Sequence, residues 1–442
     1  MTMYEKAMKI LESYSICDFC LGRQFSNVST GTTNKHRGSV IKDFLALSLS
    51  NNATENSLSK LQILSKSDNK LARNTLKKKG IISKSSKECY ICQNTLAEKT
   101  ENIFQTILPE VENYEFETFL IGTSLPKEFL ERERILKEEF DLTQTEYLKQ
   151  EFNRLIGGKV GEQLSKETDF QSPEIVIETS PLTSTINLKI KPLYIYGRYR
   201  KYIRTLPQTR WPCWKCKGRG CEECNHTGKK YQESVEELAE YEALRITNGF
   251  KGVLHGAGRE DIDALMLGTG RPFVLEIIDP KVRTIDLQEL EKNTNQYGKG
   301  KIDVSKYRWS SKNELRDLKS AAERTKKKYK ALVVFENVIS EEKIIEIEEF
   351  FQNRPIDQRT PQRVSHRRAD LIRKKITFSI KCTRIDETHI EAVITCDGGC
   401  YVKELISGDN DRTKPSIAEI TGIKAKCKEL DVIEIQDDSN KA

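Results

Sequence analysis

Residues 252–280 read GVLHGAGREDIDALMLGTGRPFVLEIIDP. An apolar run enters and a Gly-rich turn follows, carrying Arg259, Glu260, Asp261 and Asp263. Gly268 and Gly270 then precede a second apolar run, Phe273 to Ile278. The pattern predicts strand, acidic turn, glycine turn, strand. Glycines around a charged tip let a polar group stand at the end of a sheet with little crowding.

Gly256-Ala-Gly258 after an apolar run suggests a dinucleotide fingerprint, but Asp261 occupies the place of its third glycine. No G-x-x-x-x-G-K-[ST] loop exists, so the usual mark of an ATP-driven reaction is missing. Chemistry is therefore sought in the carboxylates. The acidic cluster is either a salt-bridged surface turn or a carboxylate nucleophile held ionised by a nearby cation.

Working outward, Glu233–Thr247 predicts a helix that leads into this stretch. Residues 197–211, GRYRKYIRTLPQTRW, interleave Arg198, Arg200, Lys201, Arg204 and Arg210 with tyrosines and Trp211. Arginines grip phosphates and aromatic rings stack on bases, so these five cations are candidate RNA contacts. A solvated edge strand is the competing reading. Residues 114–121, 174–178 and 186–195 have strand character, and 126–140 and 146–156 predict helices. Downstream, 281–312 reads as a long polar loop, 319–328 as a charged helix end and 331–335 as a strand. Residues 341–351 predict a helix, and 376–382 with 389–395 a hairpin. The fold class expected is α+β and multidomain.

A chain of 442 residues suggests roughly three domains at about 150 residues each. Charged residues make up 31% and hydrophobic ones 37%, which supports ordinary globular cores. The net charge of +7 permits a nucleic-acid partner without requiring one, because acids are nearly as frequent as bases. No apolar stretch approaches the ~20 residues of a membrane span, and the first residues lack a signal-peptide pattern. A cytoplasmic chain with no membrane partner is expected. Its twelve cysteines should then be reduced or metal-bound.

Cys17-x-x-Cys20 and Cys89-x-x-Cys92 are two knuckles whose four thiolates fit a tetrahedral structural zinc. A redox motif would need a βαβ setting that is absent here. Cys213-x-x-Cys216 and Cys221-x-x-Cys224 form a tighter cluster that suggests a second structural zinc, with His226 as a substitute ligand. Its sequence resembles half of the zinc module of DnaJ-type chaperones, with a shorter gap. Cys382, Cys396, Cys400 and Cys427 show no such pairing and read as ordinary buried thiols.

Gly258-Arg-Glu-Asp261 is similar to the G-R-T-D motif of pseudouridine synthases. The string AGREDIDALMLGTGRPFVLEI, with GRYRKYIRTLPQTRW upstream and YVKELISGDNDRTKPS downstream, resembles the archaeal-type tRNA pseudouridine synthases of the TΨC loop. The match spans nearly the whole chain in the same order. That resemblance implies a zinc-binding helical region (1–104) and a THUMP-containing RNA-binding region with the second cysteine cluster (105–232). A catalytic domain with a central mixed or antiparallel sheet (233–442) would follow. It implies Asp261 as the catalytic aspartate and Tyr329, in KKKYKALVV, as the ring that stacks on the target base. Lys403 and Leu405, in GCYVKEL, match the family's basic residue and leucine, and Lys403 or Arg259 would pair with Asp261. Cys17, Cys20, Cys89 and Cys92 match its zinc ligands.

The chain departs from the family pattern at Cys400, where threonine is usual, at Ser407 and Asp411, and at Leu265. The implied reaction converts uridine 54 and/or uridine 55 of tRNA to pseudouridine without an organic cofactor. The partners implied are the TΨC arm and acceptor stem, with the protein acting as a monomer. A thiouridine synthase or methyltransferase sharing THUMP would need motifs this sequence lacks. A non-catalytic, zinc-containing tRNA-binding protein is the remaining alternative.

Overall fold

The computed structural model describes residues 2–28, 31–51, 54–82, 87–143, 145–321 and 325–436. The chain divides into two compact units, Met1–Lys191 and Pro192–Ala442.

The first unit begins with six helices, α1 (Met3–Ser13), α2 (Asp18–Arg23), α3 (Asn34–Ser50), α4 (Glu55–Lys66), α5 (Lys70–Lys78) and α6 (Leu96–Val111). Side chains of Thr2, Thr33, Thr54 and Asn69 cap α1, α3, α4 and α5 by accepting backbone N–H bonds. The unit continues with β1 (Thr118–Thr123), α7 (Lys127–Glu139), α8 (Leu148–Leu164), β2 (Glu167–Thr168), β3 (Ile175–Ser180) and β4 (Thr185–Ile190). These strands form a sheet in the order β2-β1-β3-β4, parallel on both sides of β1 and antiparallel between β3 and β4. Phe119, Ile121, Ile175 and Ile177 alternate into the core with Phe152, Ile156 and Val160 of α8.

The second unit holds β5 (Leu193–Lys201), α9 (Val235–Thr247), β6 (Lys251–Gly256), β7 (Leu265–Ile278), α10 (Leu287–Tyr297), β8 (Ile302–Trp309) and α11 (Lys312–Ala321). It continues with β9 (Lys327–Phe335), α12 (Glu341–Phe350), β10 (Arg354–Arg359), β11 (Ile372–Arg384) and β12 (His389–Cys396). Last come α13 (Val402–Ser407), β13 (Thr413–Lys414), α14 (Ile417–Thr421) and β14 (Ala425–Ile435). One ten-stranded sheet runs β13-β10-β11-β12-β9-β14-β7-β5-β8, with β6 also on β7. It is antiparallel except where β14 meets β7. The architecture is thus a multidomain α+β protein with a large mixed sheet.

Several sequence readings change. The strand of the basic segment, β5, lies between β7 and β8, so it and the cysteines at 213–224 belong to the second unit. The division falls at 191/192 and not at 232, because Tyr194 to Tyr199 pair with distant β7 partners, from Glu276 to Arg271. Residues 186–195, read as one strand, contribute to two sheets. The loop expected at 281–312 contains α10 and β8; Asn295 holds them together by accepting from Val304 N–H and donating to its carbonyl. Helix α11 ends at Ala321, β9 has begun by Lys327, and 322–324 lie outside the described residues.

The second glycine pair is not a turn either. Strand β7 runs through it, and Gly268 has φ +53° with Ile433 O only 1.8 Å from where a Cβ would stand. That close approach is where β14 joins β7.

Candidate active site and cysteine clusters

The turn between β6 and β7 is pinned at several points. The Glu260 side chain is buried; its carboxylate accepts from Tyr199 Oη at 2.9 Å and pairs with Arg271 Nε at 2.8 Å. Arg271 Nη1 donates to Ala257 O at 2.7 Å. Gln208 Nε2 donates to Gly258 O at 3.0 Å and to Tyr199 Oη at 2.8 Å. Lys201 Nζ donates to Ile262 O at 3.0 Å and to Leu206 O at 2.9 Å. With its neighbours held, Asp261 is presented to a cavity of about 820 Å³ lined also by Arg259, Tyr329, Arg363 and Lys403.

Two cations meet the Asp261 carboxylate. Arg363, on a 3₁₀ turn at Gln362–Arg367, donates Nη1 to Oδ1 at 2.9 Å. Its Nε binds the buried Glu404 at 2.6 Å. Lys403 Nζ stands 3.5 Å from Asp261 Oδ2 and 2.7 Å from Asp263 Oδ2. Burial would raise the Asp263 carboxyl, but its Lys403 partner holds it below the usual range. Tyr329 stands on β9, 8% exposed, and lines the cavity. Burial, then the Cys396 thiol, push its hydroxyl well above the usual tyrosine value.

The structure therefore brings Asp261, Arg259, Tyr329 and Lys403 to one cavity. Leu405 is fully buried in the core and is not among the lining residues. Leu430 and Val432 of β14, with Val402, supply the aliphatic wall instead. The cation closest to Asp261 is Arg363 and not Arg259. Sequence reading missed Arg363 because it lies 102 residues from Asp261 in an arginine-rich run, and spacing does not reveal which arginine folds back.

The five basic residues proposed as RNA contacts are placed differently from one another. Arg198 is 2% exposed and donates to the carbonyls of Thr269, Gly270 and Ile435. Lys201 is fully buried. These two are corrected to structural roles, because their charged heads satisfy backbone carbonyls inside the sheet. Arg200 pairs with Asp303, Arg204 with Glu429 and Asp431, and Arg210 with Glu237 and Glu240, all part-exposed.

Cys17, Cys20, Cys89 and Cys92 come together with every sulfur within 4.8 Å of the others, and so do Cys213, Cys216, Cys221 and Cys224. A tetrahedral metal bound at about 2.3 Å sets sulfurs about 3.8 Å apart. The observed 3.5 Å for Cys17–Cys92 and 3.7–3.9 Å in the second set match that edge. Gly220 and Gly228 N–H donate to the sulfurs of Cys216 and Cys224 at 3.2 Å. Burial works to raise the Cys224 thiol, but backbone donors from Cys221 and Gly228 bring it down to about 6. Both quartets could hold a metal ion, and His226 is not part of the second. Arg23, buried between Glu133 and Glu151 at 3.0 Å, supports the first quartet through a 3.6 Å contact with Cys20. Of the unpaired thiols, Cys396 and Cys400 are buried and Cys382 and Cys427 partly so.

In the second unit a carboxylate between two cations and a tyrosine thus line one cavity over the central strands β9, β14 and β7. Residues 194–436 match the family model described as Pus10, C-terminal, and residues 103–179 that described as Pus10 THUMP domain, archaeal. The tRNA pseudouridine synthase Pus10 of Methanocaldococcus jannaschii is 40% identical over 98% of this chain and 94% of that protein. That of Methanopyrus kandleri is 36% identical over 99% of both. The Cbf5-Nop10-Gar1 complex covers 54% of this chain and 48% of that chain at 16% identity and TM-score 0.30, a likeness too weak to carry an argument. The class is that of the pseudouridine synthases, which are isomerases. The chain belongs to the Pus10 family of tRNA pseudouridine synthases.

Among the described residues no helix is long and apolar enough to cross a membrane.

Proposed function

We propose that this enzyme isomerises uridine 54 and/or uridine 55 in the TΨC loop of tRNA, with Asp261 as the catalytic carboxylate. The observation that carries the reading is Asp261 in the cavity, fixed by Arg363 at 2.9 Å and flanked by Lys403 at 3.5 Å. The target uridine leaves the stack to enter the cavity. Asp261 then acts at the sugar, as a nucleophile on C1′ or by taking the 2′ proton, and the C1′–N1 bond breaks. The freed uracil turns and C5 bonds to C1′. Tyr329, which burial keeps protonated, packs on the base and does not serve as a phenolate. Arg259, which lines the cavity, would meet a flanking phosphate, while Arg363 stays with Asp261 and Glu404. Lys403 balances the two aspartates, and Leu405 supports α13 from the core.

The two cysteine quartets are proposed as structural zinc sites, since four thiolates at these separations suit zinc. The enzyme would work in the cytoplasm as a monomer, gripping the TΨC arm and acceptor stem. Incubation with unmodified tRNA, read by carbodiimide-reactive pseudouridine at each position, tests the reading. Asp261→Asn should bind tRNA normally and yield no product. Full activity in that variant would remove Asp261 and make Asp263 the next candidate.

A further inference from the structure

Lys327 opens β9, two residues before Tyr329, so both side chains stand on the same face of the sheet. The residue is 5% exposed and lines the Asp261 cavity. Its Nζ lies against the catalytic turn: a Cβ on Gly258 would meet Lys327 Nζ and Arg271 Nη1, each at 3.1 Å. The other buried cations around this turn are satisfied, Arg271 by Glu260 and Lys201 by two carbonyls. Among the described residues the Lys327 ammonium has no ion-pair or hydrogen-bond partner, although its backbone is paired opposite Cys396 and Ile435 in the sheet. Its charged end opens on the cavity instead of being sealed in the core. An amine without an internal acceptor, opening on a cavity, points to an acceptor carried by the ligand.

Uracil offers two exocyclic carbonyl oxygens. When C1′–N1 breaks, the bonding pair stays on N1 and delocalises onto O2 and O4. We propose that Lys327 is a catalytic residue whose ammonium donates to a uracil carbonyl and stabilises the uracilate formed as C1′–N1 breaks. The ring then supplies the pair for the C5–C1′ bond as the Asp261–C1′ ester breaks and frees the carboxylate or, on the glycal route, as Asp261 returns its proton to C2′; C5 loses its proton, N1 gains one, and Lys327 ends with the proton it began with. Placing a preorganised donor where charge develops is the most effective form of such stabilisation. The proposal rests on the cavity being the uridine site, as argued above.

The surroundings make the step pH-dependent. Burial, then Arg271, push the Lys327 amine down to about 7, against the opposing pull of Cys396 and Glu260; Lys375 adds to the lowering. The charged form is complete below that value and is lost as pH rises through it. kcat/KM should therefore fall on the alkaline side of about pH 7 in the wild-type enzyme.

Single-turnover kinetics on unmodified tRNA, with tRNA affinity measured in parallel, test this in Lys327→Met, Lys327→Arg and Asp261→Asn. Lys327→Met should bind tRNA within about threefold of wild type and lose about 100-fold in rate. Lys327→Arg, which stays protonated, should recover part of the rate and flatten the alkaline fall. Lys327→Met turning over within threefold of wild type overturns the proposal, as does an alkaline fall unchanged in Lys327→Arg. An inactive Asp261→Asn beside a fully active Lys327→Met sinks the lysine role alone. An active Asp261→Asn sinks the site reading itself.

Discussion

Glu260 carries no proposed chemistry, yet the turn depends on it. Its side chain and that of Arg271 are 1% and 2% exposed, 2.8 Å apart, and Tyr199 closes the group. Burial alone would lower the Arg271 guanidinium; the carboxylate beside it outweighs that and raises it. Glu260→Ala leaves this guanidinium buried without its anion, a loss of about 3–5 kcal/mol. Replacing both, Glu260→Ala with Arg271→Met, removes the orphan charge and should cost markedly less than the single change. Urea unfolding followed by tryptophan fluorescence reads the second unit alone, because Trp211, Trp214 and Trp309 are the three tryptophans of the chain. With an m-value of about 3 kcal/mol/M, the Glu260→Ala midpoint should drop by about 1 M or more. A midpoint within about 0.3 M of wild type, or a double variant as unstable as the single, would refute the buried-pair reasoning.

Two further outcomes are expected. Arg363→Ala should slow isomerisation by about 100-fold by freeing the Asp261 carboxylate, with Arg363→Lys only partly restoring it; wild-type rates in the alanine variant would show that Lys403 suffices. Cys216→Ser should reduce bound zinc from two ions per chain to one, measured by elemental analysis. It should also change Trp211 emission, since Trp211 O accepts from Lys230 N–H at the base of that knuckle. An unchanged zinc ratio would exclude the second site.

Local patterns were legible where the deciding physics is local. The Cys-x-x-Cys pairs announce thiolates one turn apart, and in each quartet the fold brings two such pairs together. The strand–turn–strand at 252–280 was readable because apolar runs flank charged, glycine-rich sequence. The basic segment misled because its composition suits a solvated edge, whereas β5 has neighbours on both sides. That position buries all of β5 except Tyr196 and Arg200, and Arg198 and Lys201 become hydrogen-bond donors inside the sheet. Nothing in a 15-residue window distinguishes those two environments. The same holds for 281–312, where the Asn295 and Glu291 side chains of α10 accept from the backbone N–H groups of Val304 and Tyr307 on β8.

The sequence by itself announced the two cysteine quartets through residue type and spacing, while Asp261 and Tyr329 were singled out by the resemblance to the pseudouridine synthases. Only the tertiary structure decided which cation balances Asp261, which leucine lines the cavity and which arginines are unavailable to RNA. Those outcomes depend on burial and on partners one hundred or more residues away, such as Arg363 for Asp261 and Ile435 for Arg198. Charge in a folded protein is assigned by what surrounds it, and that surrounding exists only once β5, β7, β9 and β14 have paired.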